Sequence, residues 1–390
     1  MIFSSKPDYG TVGMYGYLVK NQWLLSALRL RDMLPWPPIK FKVTPEPPSR
    51  VLLSSFGHLG DCVIATATLN LVRRLLPETQ IGVLTGSWNS VIFREDPRVS
   101  WLHTIDHWIL DRSVRSPHEK FLRYWRSRRT ALQEMRDIGY DAAVDLFYFF
   151  PPAGPIFYAA KIPKRIGYAS GGFRRYLTHP HPWVLSEKHV ARYQAELLES
   201  LGVERTQLHA EMKGLRMSLG ATPEHTERSD HVIIHTGTGS AQREWPEDRW
   251  RSVASALTKR GIKVLLTGRG DAEAARCARI ESAVPNVLNL CDKLDWKSLC
   301  NTIATSRLLI GVNSLSGHLA ACFGVPTITI WAGVVNPKHW QPLGNNATIL
   351  HTAQPCLPCY EWRGCSGMQC IRDVGVTEVL AAAYANLGIV

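Results

Sequence analysis

The sequence predicts an α/β protein built from two successive, doubly wound, parallel-sheet units. Three observations carry that expectation. Short apolar runs recur, such as "SRVLLSS" (49–55) and "IKVLLTG" (262–268), and helical patterns of ten or more residues separate them. Strands buried on both faces by crossover helices read this way. The alternation breaks in the polar, weakly periodic "LRMSLGATPEHTERSD" (215–230) and then restarts. Finally, 390 residues, 45% of them hydrophobic, are enough chain for two ordinary cores.

Residues 1–47 form an N-terminal extension: amphipathic "YLVKNQWLLSALRLRDMLPW", then proline-rich "PWPPIKFKVTPEPP". Trp23, Leu24, Leu25, Leu28 and Leu30 suit it to cover a neighbouring domain. With Lys20, Arg29 and Arg31 the same stretch suits an anionic membrane surface. The first unit, 48–215, opens with the buried run 49–55 and the helix pattern "DCVIATATLNLVRRLLP". "QIGVLTG" is a second strand, a long helix spans 118–138, "DAAVDLF" and "KRIGYA" are further strands, and "EKHVARYQAELLESLG" is another helix. A linker spans 216–229. The second unit, 230–350, alternates "HVIIHTG", helix 247–260, "IKVLLTG", helix 271–282, "NVLNL", helix 294–305, "RLLIGV", helix 315–323 and "PTITIWAG". A cysteine-rich loop at 351–375 follows. Segment 376–390 holds a last helix, expected over 376–388 and packing back across.

A net charge of +12 points to an anionic partner. No single-strand or helix-turn-helix signature interleaves with the basic residues, so nucleic acid is not expected. The first ten residues lack the apolar core of a signal peptide. The longest apolar candidate, "AAVDLFYFFPPAGPIFYAAKI", is interrupted by Asp145 and Pro151–Pro152, short of the ~20 residues that a bilayer span needs. The expected location is cytoplasmic, with a peripheral contact at the inner membrane left open. Cys62, Cys277, Cys291, Cys300 and Cys322 lie singly in apolar or helical patterns and read as buried thiols. An odd total of nine cysteines argues against a disulfide framework.

Strand ends carry the chemistry. "IIHTGTGSAQREWPEDRW" is a strand, a loop of small residues (Thr236, Thr238, Gly239, Ser240), then Arg243, then a helix. Such a loop lets backbone N–H groups and hydroxyls approach phosphate oxygens, and Arg243 adds a charged fork. "LLIGVNSLSGHLAACFGVPTITIW" repeats the arrangement: Asn313 or Ser314 caps a helix that opens with Ser316, Gly317 and His318. Two phosphate-friendly turns in one unit suggest a nucleoside diphosphate at the carboxyl ends of the strands. A Gly-x-Ser-x-Gly elbow is missing, which argues against a Ser-His hydrolase. Asp271 and Glu273 follow "LLTGRG" and either cap the next helix or accept ribose hydroxyls. In "GHLGDCVIAT", Asp61 stands where a strand hands over to a helix, as a cap, a phosphate-site neighbour or a general base.

In their order and spacing, "GDCVIATATLNLVRRLLP", "KRIGY", "EKHVARYQAELLESLG", "IIHTGTGSAQREWPEDRW", "VLLTGRGD" and "NSLSGHLAACFGVPTITIWAG" resemble glycosyltransferase family 9, the ADP-heptose:lipopolysaccharide heptosyltransferase-like enzymes. The resemblance covers roughly residues 49–380. It implies a GT-B fold, two Rossmann-like domains facing across a cleft. It also implies inverting transfer, without a catalytic metal or other catalytic cofactor, from an ADP-sugar to an anionic, lipopolysaccharide core-like saccharide. By it, Asp61 is the base for the acceptor hydroxyl, and the 236–243 and 313–318 turns hold the donor. The chain has no Asp-x-Asp, which agrees with metal-free chemistry. It departs from the family where Asn313 stands for a common aspartate and Arg243 for a common lysine. Two alternatives remain at this point: a nucleotide-sugar epimerase or hydrolase, and a nonenzymatic nucleotide-sugar-binding module.

Basic residues concentrate in the first unit, and Gly60, Arg126, Arg129, Lys164, Arg165 and Arg174 are the candidates for binding an anionic acceptor. Four cysteines, Cys356, Cys359, Cys365 and Cys370, have spacing that closes around a structural Zn or Fe. Free or redox-active thiols are the alternative.

Overall fold

A computed structural model describes residues 22–33, 46–184, 186–220, 227–239, 243–344, 346–361 and 365–389. Lys20, most of the N-terminal extension, part of the linker and Ser240 lie outside the described residues. The chain divides into two compact units, Met1–Leu215 with Leu219–Ala221, and Arg216–Ser218 with Thr222–Val390.

The first unit is a six-stranded sheet of β1 (Arg50–Ser55), β2 (Gln80–Thr85), β3 (Trp101–Thr104), β4 (Ala142–Asp145), β5 (Lys164–Tyr168) and β6 (His179–His181). Their order is β3-β2-β1-β4-β5-β6, and every pair is parallel. In the second unit, β7 (His231–His235), β8 (Lys263–Thr267), β9 (Val287–Asn289), β10 (Leu308–Val312), β11 (Thr327–Ile330) and β12 (Ala347–Leu350) pair in the order β12-β11-β10-β7-β8-β9, again all parallel. Counted from its own first strand, each sheet has the Rossmann order 3-2-1-4-5-6. The direction of winding therefore reverses between β1 and β4, and again between β7 and β10. A parallel sheet offers a ligand crevice at such a point, beyond the carboxyl ends of the strands.

Local sequence explains the elements. In β1, five of six residues are buried, as expected of a strand with helices on both faces. The Pro117–Ile138 helix begins at a capping box in which the Ser116 N–H donates to Glu119 Oε2 at 2.8 Å and the Glu119 N–H donates to Ser116 Oγ at 3.3 Å. It ends at Gly139, whose φ of 68° suits glycine. The second core is built around Trp245 and Trp250, edge to face at 4.8 Å and almost fully buried.

Three expectations change. The strands β3, β6 and β12 were not expected; each lies at a sheet edge and carries no continuous buried run. The last helix spans Val376–Leu387, with Val379, Ala383 and Leu387 inserted into the second unit's core. Of the apolar residues named in the N-terminal helix, Gln22–Met33, only Leu28 is buried, while Trp23 is 88% exposed. Cys322 is only half-buried, in contrast to Cys62, Cys277, Cys291 and Cys300. No helix among the described residues is long and apolar enough to cross a membrane.

Candidate active site

In the first unit the site grows out of the β1 carboxyl end. The Leu59–Leu75 helix starts there, with Gly60 and Asp61 in its first turn, where backbone N–H groups lack intrahelical partners. The His58 N–H donates to Asp61 Oδ2 at 2.6 Å. That capping bond uses Oδ2; among the described residues Oδ1 makes no hydrogen bond. Gly57 is required here, since a Cβ on it would lie 2.4 Å from Asp61 Oδ2. The Gly57 carbonyl accepts the Asn89 amide at 2.8 Å, which holds the loop in place. Burial pushes the Asp61 carboxyl up to about 6, against the His58 N–H and the charge of Arg112, which pull it down. Arg112 had no signal in the sequence; only tertiary structure brings it into electrostatic range.

A second carboxylate, Asp145 at the end of β4, is pushed by burial to about 7. It accepts from Ser54 Oγ at 2.9 Å and from the Phe147 and Ala153 N–H groups at 3.2 and 2.6 Å. These bonds tie β4 to β1 and to the loop beyond β4, so Asp145 is a structural residue.

In the second unit the turns after β7 and β10 do converge at the point where winding reverses. Thr238 and Arg243 from the first turn and Asn313 from the second line one small pocket, closed by Ala332, Val334 and Val335 beyond β11. Ser314 is the N-cap of the Leu315–Cys322 helix, its Oγ 3.0 Å from that of Ser316. Gly317 and His318 are buried in the same first turn. Thr236 is buried and Gly239 is exposed.

Glu273 sits inside this arrangement. A Cβ on Gly237 would lie 1.9 Å from its Cδ, so the carboxylate packs directly on the turn after β7. Its Oε2 accepts the Arg269 N–H at 2.9 Å, and burial holds its carboxyl above the usual range. Asp271, by contrast, is the exposed first residue of the Asp271–Ala283 helix. Sequence reasoning missed Arg276, which is 7% exposed on that helix. Its guanidinium donates to the Thr236 carbonyl at 3.1 Å, to Thr236 Oγ1 at 3.3 Å and to Glu244, fixing both ends of the 236–244 turn. A lone arginine in a helical pattern gives no hint of that role.

The basic candidates divide. Arg126 and Arg129 are exposed on the Pro117–Ile138 helix, and Arg126 lines a cavity of about 670 Å³ beside β3 with Arg115, Arg123, Asp106 and Glu134. Arg165 is corrected to a structural role: it is buried, stacks over the Tyr158 ring, and donates to the carbonyls of Tyr176, Ile162 and Pro163. Lys164 is likewise buried and paired with Glu46. Arg174 lies in a short turn whose backbone meets Asp32 of the N-terminal helix at 3.4 Å.

The four clustered cysteines are not drawn into a ligand set. Among the described residues no group of three or more His, Cys, Asp or Glu could hold a metal ion. Cys356 and Cys365 are exposed, and Cys370 is buried with its Sγ accepting the Gly333 N–H at 3.3 Å.

Known proteins share this architecture. A lipopolysaccharide heptosyltransferase 1 of Pseudomonas aeruginosa is 24% identical over 336 residues, 80% of this chain and 86% of that protein. The glycosyl transferase family 9 structure from Veillonella parvula superposes with a TM-score of 0.67 at 18% identity, covering 87% of this chain and 97% of that one. The Escherichia coli heptosyltransferase WaaC, solved with ADP-2-deoxy-2-fluoro heptose, gives 0.65 at 17% identity and covers 86% and 99%. These structural likenesses support two Rossmann-like domains of the GT-B type. The sequence profile of glycosyltransferase family 9 (heptosyltransferase) matches residues 128–366, and the chain belongs to that family of glycosyltransferases.

Proposed function

We propose that the protein is an inverting transferase that moves a heptose-like sugar from an ADP-linked donor to an anionic saccharide of the lipopolysaccharide-core type. The observation that carries this reading is Asp61: one oxygen held by a helix-capping bond, the other available, and a carboxyl raised to about 6. A base with that value is mostly ionised at neutral pH and still strong enough to take a proton. In the proposed step the acceptor hydroxyl oxygen forms a bond to the anomeric carbon while the bond from that carbon to the diphosphate breaks. The hydroxyl proton passes to Asp61, and the electron pair leaves with ADP. Without a catalytic metal, the leaving charge is met by Arg243, the Thr238 hydroxyl and the N-terminus of the Leu315–Cys322 helix. Gly60, Arg126, Arg129 and Arg174 remain the proposed acceptor contacts, and a peripheral contact with the membrane that holds the acceptor belongs to the same reading.

Calorimetric titration with ADP, UDP, GDP and dTDP tests the donor. Saturable binding of ADP ahead of the others supports it; preference for another nucleotide overturns the ADP assignment. Asp61→Asn is expected to bind ADP as the wild type does and to lose about 10²- to 10⁴-fold in transfer rate. Full transfer by that variant removes Asp61 from the mechanism. Release of ADP without a new glycoside would favour an epimerase or hydrolase.

A structural Zn or Fe on Cys356, Cys359, Cys365 and Cys370 is a separate proposal, supported by their spacing and by the N–H bonds that Cys370 and Cys365 accept from Gly333 and Met368. The thiols would have to draw together on binding, and no catalytic step passes through the site. One metal per chain by elemental analysis after reducing purification supports the proposal, and none refutes it.

A further inference from the structure

The Pro117–Ile138 helix carries one apolar stripe with two fates. Leu132 and Met135 lie on it buried in the first unit's core, 6% and 0% exposed. Phe121 and Trp125 lie about three and two turns before Leu132, where helical periodicity returns a side chain to the same face. They are nevertheless 47% and 48% exposed. The stripe thus runs on beyond the stretch that the core covers. Leu122, Trp108 and Ile109 are also exposed. Ring contacts join the patch: Phe121 to Trp125 at 6.0 Å, Trp125 to Tyr124 at 5.6 Å, Tyr124 to His107 at 5.0 Å, and His107 to Trp108 at 6.0 Å. Scattered exposed apolar residues are ordinary, but a connected aromatic surface marks an interaction site.

Charge selects the partner. Residues 107–129 contain seven Lys or Arg against two Asp or Glu. Both acids are engaged locally, Glu119 with the Ser116 N–H and Asp111 with the Ser113 N–H. The Arg128 guanidinium lies 5.2 Å over the Trp125 ring, and Arg126 and Arg129 are exposed beside it. Two copies meeting through this face would oppose like charges, which disfavours a self-interface.

We infer that this surface seats the protein on an anionic lipid bilayer, with Phe121, Trp125 and Trp108 at headgroup depth and the flanking guanidinium groups on lipid phosphates. Aromatic rings are stable at that depth, and basic residues beside an anionic leaflet are drawn to its phosphates. The inference deepens the proposed function and rests on its membrane-held acceptor. Arg112, in the loop before this helix, is near enough for its charge to act on Asp61, so the bilayer would meet the protein close to the base.

The test is co-sedimentation of the full chain with vesicles of phosphatidylcholine and phosphatidylglycerol (about 3:1), and with phosphatidylcholine alone. Neither contains a saccharide, so bilayer contact is read apart from acceptor recognition. Binding is expected to the anionic vesicles only, to weaken with added salt, and to fall at least ~tenfold in Phe121→Ser/Trp125→Ser. A circular dichroism melt checks that this variant folds. Should it not, a smaller brominated-lipid quenching in Trp125→Phe than in the wild type carries the same information, and equal quenching overturns the inference. No vesicle binding by the wild type, or undiminished binding by the folded variant, overturns the inference. So does lipid-independent self-association that the variant abolishes. ADP titration of the same samples separates the outcomes: ADP binding without vesicle binding defeats the surface alone, and vesicle binding without ADP binding defeats the donor assignment alone.

Discussion

Asp61 divides two duties between its two oxygens. The Oδ2 bond to the His58 N–H caps the start of the helix and holds the carboxylate in one place; the proposed proton transfer falls to the other oxygen. Because only the ionised form accepts a proton, kcat/KM is expected to rise with pH through an inflection near 6 and to level off above it, as a pH–rate profile would show. A flat profile from pH 5 to 8 would argue against Asp61 as the base. Asp145 has the opposite meaning. Folded, it keeps its proton to about pH 7, whereas an unfolded Asp ionises near ~3.9. The folded state therefore holds the extra proton between these values. The stabilisation linked to it is complete below about pH 4 and is lost as pH rises through 7. Thermal melts of the wild type are expected to drop as pH rises from about 4.5 to 7.5 and to level off above that, and those of Asp145→Asn to drop less.

At the scale of elements, the sequence marks what is buried and continuous. The long helix expected over 118–138 spans Pro117–Ile138, and the structure adds its Ser116–Glu119 capping box. The interior strands announced themselves as apolar runs. The strands that went unread, β3, β6 and β12, have only one neighbour each, so they are short and mixed in burial. The "WPEDRW" stretch read as a turn opening a helix, yet Trp245 and Trp250 are the centre of the second core. Trp250→Ala is expected to cost about 3–5 kcal/mol of that unit's stability, measured by denaturant titration. A loss below about 1 kcal/mol would contradict a close-packed site.

At the scale of the molecule, each unit owns its core and its sheet. Differential scanning calorimetry is expected to resolve two transitions. ADP at ~100 times its Kd should stabilise the unit that binds it by about 2.7 kcal/mol, moving the transition that Trp250→Ala lowers. A shift confined to the other transition would place the nucleotide in the first unit. The net charge of +12 belongs to this scale too, since it attracts an anionic partner without saying which surface receives it.

Two doubly wound units, the turns that carry Thr238, Arg243 and Asn313, and the placement of Asp61 between a strand and a helix were legible in the sequence. They depend on periodicity, glycine and capping residues, which act over a few neighbours. What only the tertiary structure decided depends on residues far apart in the chain. Arg165 looks like an exposed cation in "KRIGY", but it turns inward to three carbonyls. Arg276 reaches across to Thr236 and Glu244, and Arg112 comes within range of Asp61. Phe121 and Trp125 share a stripe with Leu132, and only the limit of the packed core leaves the first two in solvent. Spacing along a chain tells which side chains share a face; what that face meets is set by the fold.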